Sequence, residues 1–318
     1  MLASDLPTWL ARAFAFVFGS LWGSFFNVAI YRWPRGMSVV NPPSHCPSCG
    51  APVPPWRNVP IVGYLLLRGR AACCGAKLSP RYVLVEVLGG VLCAAVAERL
   101  LVHAPPDEPL IGPLLETLVY FAFAGGLLVA TFVDLEWMEI PDEVSLPGAA
   151  LGLLTVGLRD SPGAVDAAIG AGLGFLAVQI LFVWLYEIFF GHRGMGEGDP
   201  KLLLMIGAFL GWRGVLFTIV AGSMQGLVAA GISWALGKQI TPIRPDEAEE
   251  EAEAASESSP VEDSEASPPE EENPEGDVGI MKQRVPYGPF LSLAALEFLF
   301  FGPEILEAYQ SLLFGPAY

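Results

Sequence analysis

Long apolar runs recur along this chain of 318 residues and restrict its possible folds more than any other feature. A helix needs about 20 predominantly apolar residues to cross the hydrocarbon core of a bilayer. We predict eight such spans, at approximately 9–31, 82–103, 111–133, 143–159, 165–190, 199–212, 214–236 and 287–301. Only 16% of the residues are charged, whereas a soluble domain of ordinary composition carries about a quarter. The sequence therefore predicts an all-α polytopic membrane protein with about eight transmembrane helices.

The distribution of basic residues predicts how these spans are oriented. If residues 32–81 are cytoplasmic, eight spans place thirteen of the 17 Lys and Arg residues on the cytoplasmic side and four on the other. This asymmetry agrees with the positive-inside rule, which counts Lys and Arg alone. No basic residue lies in residues 1–9, so we expect the first apolar run to remain as a span rather than to be cleaved as a signal peptide.

The net charge of −17 comes almost entirely from one segment. Residues 246–277 contain fifteen of the 34 acidic residues and neither Lys nor Arg. This Glu-, Ser-, Pro- and Ala-rich segment has almost no aromatic or β-branched residues, so it cannot bury enough apolar surface to offset the entropy of ordering. We predict a disordered insertion there, and we expect no nucleic-acid partner from the overall charge.

Two aspartates lie at the edges of predicted spans that are distant in the sequence. Asp134 follows the third span, which runs toward the cytoplasm, and Asp199 opens the sixth, which starts there. Peptide hydrolysis by aspartates needs one ionised carboxylate to take a proton from water and one protonated carboxyl to donate to the substrate carbonyl. Adjacent carboxyls share one proton, because ionising both is unfavourable. Gly196 and Gly198 flank Asp199, and their lack of side chains would let an extended substrate come close.

Simpler interpretations apply to the same residues. A carboxylate at a helix end often caps the helix or faces interfacial water, and we assign the neighbouring acids to that role: Glu136, Glu139, Asp142, Glu143 and Glu197. A polytopic transporter with acidic residues lining an ion path is an alternative function, and it predicts internal repeats and acids near mid-span. A membrane-anchored zinc module that recruits partners through the acidic segment is a third possibility, but it gives no reason for the paired aspartates.

A set of short motifs, in their order and spacing, carries a family resemblance. The residues that carry it are Gly23, Asn27, Tyr31–Arg32, Pro42–Pro43, Cys46, Cys49–Gly50, Leu67–Arg70, Cys74, Ser79–Tyr82, Glu86, Asp134, Ile140–Asp142, Gly196, Gly198–Asp199, Lys201, Gly207–Ala208, Leu210–Trp212 and Pro286–Phe290. Together they resemble the bacterial type IV prepilin peptidase/N-methyltransferase family, whose members are intramembrane aspartic peptidases of the GxGD type. The resemblance covers residues 9 to about 236 and resumes at 285.

This resemblance implies a function and a set of site residues. Asp134 and Asp199 match the family's catalytic pair, while Gly196, Gly198 and Lys201 match supporting or substrate-binding positions. Such proteins remove a short basic leader from type IV prepilins or type II secretion pseudopilins at the cytoplasmic face of the bacterial inner membrane. They then methylate the new N-terminal amine with S-adenosylmethionine. The segment 32–81 contains no Gly-rich strand-to-helix turn and is too short for a Rossmann domain, so the methyltransferase activity rests on the resemblance alone.

The cysteines depart from the family pattern of two CxxC pairs, which is typical of a tetrahedral zinc site. Cys46 and Cys49 form a regular first pair. In the second pair, position 71 is Ala, and Cys73 lies directly beside Cys74. A zinc site formed by Cys46, Cys49, Cys73 and Cys74 and the absence of any site both remain open, with His45 as a substitute ligand. We expect Cys93, within the second span, to be a packing residue.

The predicted organisation has five parts. They are a first transmembrane helix (1–31), a cytoplasmic Cys-containing loop domain (32–81), a transmembrane peptidase core (82–237), the acidic disordered insertion (238–284), and a last transmembrane helix with a C-terminal tail (285–318).

Overall fold

The computed structural model describes residues 5–191, 196–236 and 286–314. The nine α-helices within these residues are α1 (Thr8–Arg32), α2 (Val62–Leu66), α3 (Arg81–Ala97), α4 (Ile111–Trp137), α5 (Asp142–Leu154), α6 (Ala164–Val178), α7 (Tyr186–Phe190), α8 (Gly198–Ala235) and α9 (Gly288–Phe314). A π-helical segment, Glu98–Val102, extends α3, and another, Gln179–Leu185, joins α6 to α7. The acidic segment 246–277 lies outside the described residues, and the five-part division of the chain remains a prediction.

The all-helical membrane architecture predicted from the apolar runs is confirmed. Five helices in the described part of the chain are long and apolar enough to cross a membrane: Thr8–Arg35, Ile111–Trp137, Ala164–Phe189, Gly198–Ala235 and Gly288–Ala308. The chain is therefore a multi-pass membrane protein.

The predicted count of eight spans is not confirmed, although a helix lies at each predicted position. One of these helices, α5 with 13 residues, is shorter than the roughly 20 residues of a full crossing. Helix α3 and its π-helical extension together run from Arg81 to Val102, but this segment, which contains Glu86, Glu98 and Arg99, is not among the five. The predicted sixth and seventh spans join into α8, a helix of 38 residues whose backbone is broken at Gly211, near the predicted boundary between them. Hydropathy identified the apolar segments, but it did not determine which of them are long enough to span on their own.

Helix α8 packs closely against α5, α6 and α9. At the crossing of α6 and α8, a Cβ added to Gly207 would lie 2.2 Å from backbone atoms of Gly170, so neither position has room for a side chain. A second glycine of α6, Gly174, lies against the backbone of Leu203 in the same way. Small residues thus allow these backbones to pack directly, as is common between membrane helices.

The long helix α8 is broken at Gly211, whose φ of 69° and ψ of −177° are not helical. The buried guanidinium of Arg159 donates hydrogen bonds to the carbonyls of Ala208 and Phe209, both at 3.1 Å, and to the carbonyl of Gly152. These carbonyls lie at the ends of helical segments, where intrahelical partners are missing. Arg159 therefore stabilises the break and fixes the first half of α8, the half that begins with Asp199.

The segment between α1 and α3 is attached to the end of the bundle at which α4 ends. Arg81, the first residue of α3, forms an ion pair with Glu136 in the last turn of α4. The guanidinium of Arg35 lies 4.7 Å from the ring centroid of Trp137, the final residue of α4. These contacts place residues 33–80 beside the C-terminal end of α4.

Candidate active site

Asp134 lies in the last turn of α4, and its side chain points into the protein. The helix ends immediately afterward, because Met138 adopts a left-handed conformation with φ of 53° and its N–H donates to the carbonyl of Asp134. The carboxylate of Asp134 is only 5% exposed, and its Oδ2 accepts a hydrogen bond of 2.8 Å from the backbone N–H of Gly288. The first residue of α9 thus holds the carboxylate at the end of α4.

Asp199 lies in the first turn of α8 and is 7% exposed. Its carboxylate accepts a hydrogen bond from the backbone of Gly196 and is close enough to Asp134 for their charges to interact. The chain reaches this position because α5 and the α6–α7 segment together lead from the end of α4 back to the same end of the bundle. The structure therefore brings together the two aspartates singled out in the sequence, and their catalytic role remains a prediction.

Glycines occupy three positions around these carboxylates, with different steric surroundings. A Cβ at Gly288 would lie 2.8 Å from Asp134 Oδ2, and one at Gly198 would lie 2.8 Å from the Cβ of Ile140. At Gly196 the nearest atom among the described residues would be Asp199 Oδ2 at 3.4 Å, an ordinary van der Waals distance. Gly198 and Gly288 are therefore required by packing inside the site itself, and the predicted close approach of a substrate backbone remains a prediction.

Lys201 has a protein partner in this structure. Its Nζ lies 2.6 and 2.8 Å from the two carboxylate oxygens of Asp142. The pair joins the first turn of α8 to the first residue of α5. Asp142 lies in the first turn of α5 with a half-exposed side chain, as the predicted helix-end, solvent-facing role requires, and the structure adds this ion pair.

Two contributors at the start of α9 were not selected as site residues from the sequence. Gly288 supplies the hydrogen bond to Asp134, and Tyr287 lies close enough to Asp199 to experience its charge. The hydroxyl of Tyr287 is 2.8 Å from the Oγ of Ser223. The signal that could have found them is the Pro286–Phe290 motif, which reappears after the long acidic interruption.

The four cysteines between α1 and α3 form a second candidate site. The Sγ atoms of Cys46, Cys49, Cys73 and Cys74 all lie within 4.8 Å of one another. The Cys46–Cys74, Cys49–Cys73 and Cys73–Cys74 sulfur distances are 3.8, 3.3 and 3.9 Å. A tetrahedral zinc with Zn–S bonds of about 2.3 Å has sulfurs about 3.8 Å apart. The arrangement therefore fits a four-thiolate metal site. His45, the alternative ligand, instead places Nδ1 3.1 Å from the carbonyl of Pro43.

Two similar turns explain how the irregular second pair reaches the cluster. In the first turn, Cys46 N–H donates to Ala51 and its carbonyl accepts from Gly50; in the second, Ala71 makes the same two contacts with Ala76 and Gly75. Ala71 thus occupies the position that Cys46 has in the first turn. Cys73, from inside the second turn, supplies the fourth sulfur.

The electrostatics of this cluster favour a bound cation. Backbone N–H groups of Ser48 and Cys49 lower the pKa of the Cys46 thiol to about 6. Hydrogen bonds with the thiols of Cys49 and Cys46 raise the pKa of Cys73 to about 12. Four sulfurs this close cannot all ionise unless a positive charge lies among them, which a divalent metal would supply. Cys93 is buried in α3 against Gly19, and its predicted packing role is confirmed.

Comparisons with known proteins identify the family of this chain. Residues 17–100 match the family model described as the bacterial peptidase A24 N-terminal domain, and residues 121–231 match the type IV leader peptidase family. A prepilin leader peptidase/N-methyltransferase of Myxococcus xanthus (strain DK1622) is 30% identical over 347 aligned positions, covering 99% of each chain. No solved structure gives a significant match.

Two shorter relatives bear the same name. The protein from Klebsiella pneumoniae is 35% identical over 228 positions, covering 70% of this chain and 94% of the relative. The one from Aeromonas hydrophila is 36% identical over 249 positions, covering 71% and 81%. These relatives confirm the resemblance carried by the motifs and do not favour the transporter alternative. The chain therefore belongs to the family of bacterial prepilin leader peptidase/N-methyltransferases.

Proposed function

We propose that this protein removes the leader peptide of type IV prepilins or type II secretion pseudopilins and methylates the new N-terminus. The observation that carries the peptidase half is the meeting of two buried carboxylates, Asp134 and Asp199, at one end of the helical bundle. The prepilin substrates follow from the name that its full-length relative bears, and the pseudopilins follow from the family resemblance of the sequence motifs. Of the acids that the sequence offers near the span ends, these two alone are both buried and mutually close in the described chain.

The pair would act as one catalytic unit. One carboxylate, ionised, takes a proton from the attacking water, and the other, protonated, donates to the carbonyl oxygen of the scissile bond. The tetrahedral intermediate then collapses. One of its hydroxyls returns a proton to the carboxylate that acted as acid, the C–N bond breaks, and the leaving amine takes the proton that the other carboxylate had removed from water. The dyad therefore ends with the single proton it began with. The hydrogen bonds from Gly288 and Gly196 hold the two carboxylates in position, which reduces the reorganisation needed in the transition state.

The location of the site suits its proposed substrate. A prepilin presents a short basic leader followed by an apolar helix, so its cleavage point lies at a membrane surface. We place the dyad at the cytoplasmic face of the bacterial inner membrane, because the positive-inside rule assigns the basic segment 32–81 to that side. That segment packs beside the C-terminal end of α4, next to Asp134.

The four-cysteine cluster would hold a structural zinc ion. Cys46, Cys49, Cys73 and Cys74 provide a complete set of thiolate ligands, which leaves no coordination position for water and therefore no catalytic role for the metal. Its contribution would be to the folding of residues 33–80, where described secondary structure is limited to short helices and isolated β-bridges.

Cleavage of a synthetic prepilin peptide by the purified protein, followed by mass spectrometry, tests the proposal. Asp134→Asn and Asp199→Asn should each abolish leader removal, and the double variant should be little worse than either single one, since the residues act as a unit. Asp107→Asn, a change to an exposed acid in the loop before α4, serves as the matched control and should cleave normally. Substantial cleavage by either single active-site variant would contradict the assignment.

A further inference from the structure

A cavity of about 270 Å³ lies between α1, α3 and the segment that connects them. This volume is just below the range for small-molecule sites, about 300–1,000 Å³. The cavity is separate from the aspartate pair, and the residues of its wall used below are Asn27, Tyr31, Arg57, Tyr64, Tyr82 and Glu86. The proposed function includes a methyl transfer for which the dyad offers no chemistry, so the donor requires a site of its own.

Asn27 supplies an unsatisfied acceptor in the wall of this cavity. Its Nδ2 donates to the carbonyls of Tyr82 at 2.9 Å and Gly23 at 3.3 Å. Because both partners are acceptors, the amide nitrogen must face them. Asn27 is 4% exposed, and its Oδ1 has no hydrogen-bond partner in the part of the chain that the structure describes. A buried amide oxygen without a donor is costly, and a bound ligand with an N–H or O–H group would satisfy it.

Glu86 places a buried negative charge in the same wall. The residue is 8% exposed, and its Oε2 accepts a hydrogen bond of 2.7 Å from the backbone N–H of Ile61. Ile61 has φ of 61°, a left-handed conformation that is strained for a β-branched side chain. Strained backbone is often retained where it serves a binding or catalytic site. Here it directs an N–H toward the carboxylate, which fixes the charge in the cavity wall.

The other lining groups complement a cationic ligand that also carries an anionic end. Tyr64 provides aromatic surface that attracts a cation and accepts a flat heterocycle. Tyr31 and Tyr82 also line the cavity, and each has an arginine guanidinium, of Arg35 and Arg81 respectively, over one face of its ring. Arg57 provides one guanidinium suited to a carboxylate. S-adenosylmethionine has these parts: a sulfonium cation, an amino-acid carboxylate, an adenine, and amine and hydroxyl donors.

The cavity lies close to the place where the new N-terminus would appear. Tyr82 and Glu86 line it from the first two turns of α3, and the first residue of α3, Arg81, is paired with Glu136 of α4. Glu136 follows Asp134 by two positions. Cleavage and methylation can therefore occur at one end of the molecule without passage of the substrate across the membrane.

We propose that this cavity is the S-adenosylmethionine site, with the carboxylate of Glu86 facing the sulfonium and Asn27 Oδ1 accepting a hydrogen bond from an amine or hydroxyl of the ligand. The inference rests on the methyl-transfer half of the proposed function. In the reaction the substrate ammonium first loses a proton to water. The amine nitrogen then bonds to the methyl carbon, the methyl carbon–sulfur bond breaks, and its electron pair stays on sulfur in S-adenosylhomocysteine.

Calorimetric titration of the detergent-purified full chain with S-adenosylhomocysteine tests the site without turnover. Glu86→Gln keeps an acceptor for Ile61 but removes the charge, and it should weaken binding about tenfold or more, the loss of one charge-assisted interaction. Asn27→Leu removes the unpaired oxygen and should also weaken binding. Glu307→Gln, at an exposed position of α9, is the charge-matched control and should bind as the unchanged protein does. Leader cleavage by each variant reports that it is folded.

The outcomes separate this inference from the proposed function. Weaker binding of S-adenosylhomocysteine by Glu86→Gln, with normal leader cleavage, supports the cavity as the binding site. If Asn27→Leu fails to fold, the result for Glu86→Gln alone decides the question. Unchanged affinity in Glu86→Gln overturns it. An unmodified protein that cleaves prepilin yet neither binds S-adenosylhomocysteine nor methylates overturns the inference and the methyl-transfer proposal, leaving the peptidase. A protein that binds through Glu86 but does not cleave prepilin refutes the peptidase proposal alone.

Discussion

Replacement of Gly288 by alanine probes how Asp134 is held for catalysis. The backbone N–H of Gly288 donates a 2.8 Å hydrogen bond to Asp134 Oδ2, and an alanine Cβ would lie 2.8 Å from the same oxygen and 3.2 Å from Asp134 Cγ. At 2.8 Å the methyl group and the carboxylate cannot both keep their positions. The surrounding walls are tight as well, because the Cδ1 of Ile140 would be 3.2 Å from the new Cβ. The carboxylate must therefore move away from its donor.

The expected loss follows from the bond that is broken. A hydrogen bond to a charged acceptor contributes about 1.5–3 kcal/mol. If that stabilisation is lost from the transition state, kcat/KM should fall about ten- to 150-fold. Folding should survive, because Gly288 is not among the described glycines with positive φ, so alanine is compatible with its backbone.

Steady-state cleavage of a synthetic prepilin peptide measures this effect. Gly231→Ala is a suitable control, since Gly231 lies within α8 and a Cβ there would meet no atom of the described residues within 4 Å. It should cleave at the normal rate. Normal kcat/KM in Gly288→Ala would refute the view that this N–H positions Asp134, because the steric conflict leaves no way to keep both the contact and the added methyl group.

Three other substitutions test separate parts of the structure. Gly198→Ala should lower activity and thermal stability, because its Cβ would lie 2.8 Å from that of Ile140. Gly196→Ala, with 3.4 Å to the nearest described atom, should be far better tolerated. Equal effects of the two substitutions in activity and melting assays would contradict this interpretation. The double variant Ala71→Cys/Cys73→Ser should retain about one zinc per chain by elemental analysis, since it restores a regular CxxC pair. Cys73→Ser alone should bind less zinc. An unmodified protein that contains no metal and still cleaves and methylates normally would exclude the site. Replacement of residues 246–277 by a short Gly/Ser linker should leave peptide cleavage nearly unchanged, unless a salt-sensitive rise in KM reveals that the acidic segment attracts the basic leader.

The helices of this protein follow from local sequence. Apolar runs must be helical in a bilayer, since every backbone polar group there needs an internal partner. This is why a helix lies at each of the eight predicted positions. Their lengths did not all follow. Hydropathy does not report that α5 is too short for a full crossing, nor that the predicted sixth and seventh spans continue through the break at Gly211 as one helix of 38 residues.

The placement of Asp134 and Asp199 at the same end of the bundle could be predicted from the direction in which each span runs. One apolar segment leaves the end of α4 and another returns, so the start of α8 lies at the same end of the bundle whatever the exact number of spans. The residue types then indicate the chemistry, because paired carboxylates at a protected site can act as acid and base together.

Contacts between residues that are far apart in the sequence could be identified only in the folded structure. Gly288 follows Asp134 by more than 150 positions, and neither its hydrogen bond nor the steric requirement for glycine has a local sequence signature. The same holds for the ion pair of Lys201 with Asp142 and for Cys73. Cys73 completes the sulfur cluster, although two adjacent cysteines close a poorer chelate than a CxxC pair does. Hydropathy and residue type are properties of short stretches and can be read from the sequence. The distances that make a carboxylate, a lysine or a thiol functional are set when remote backbones pack, and those exist only in the folded chain.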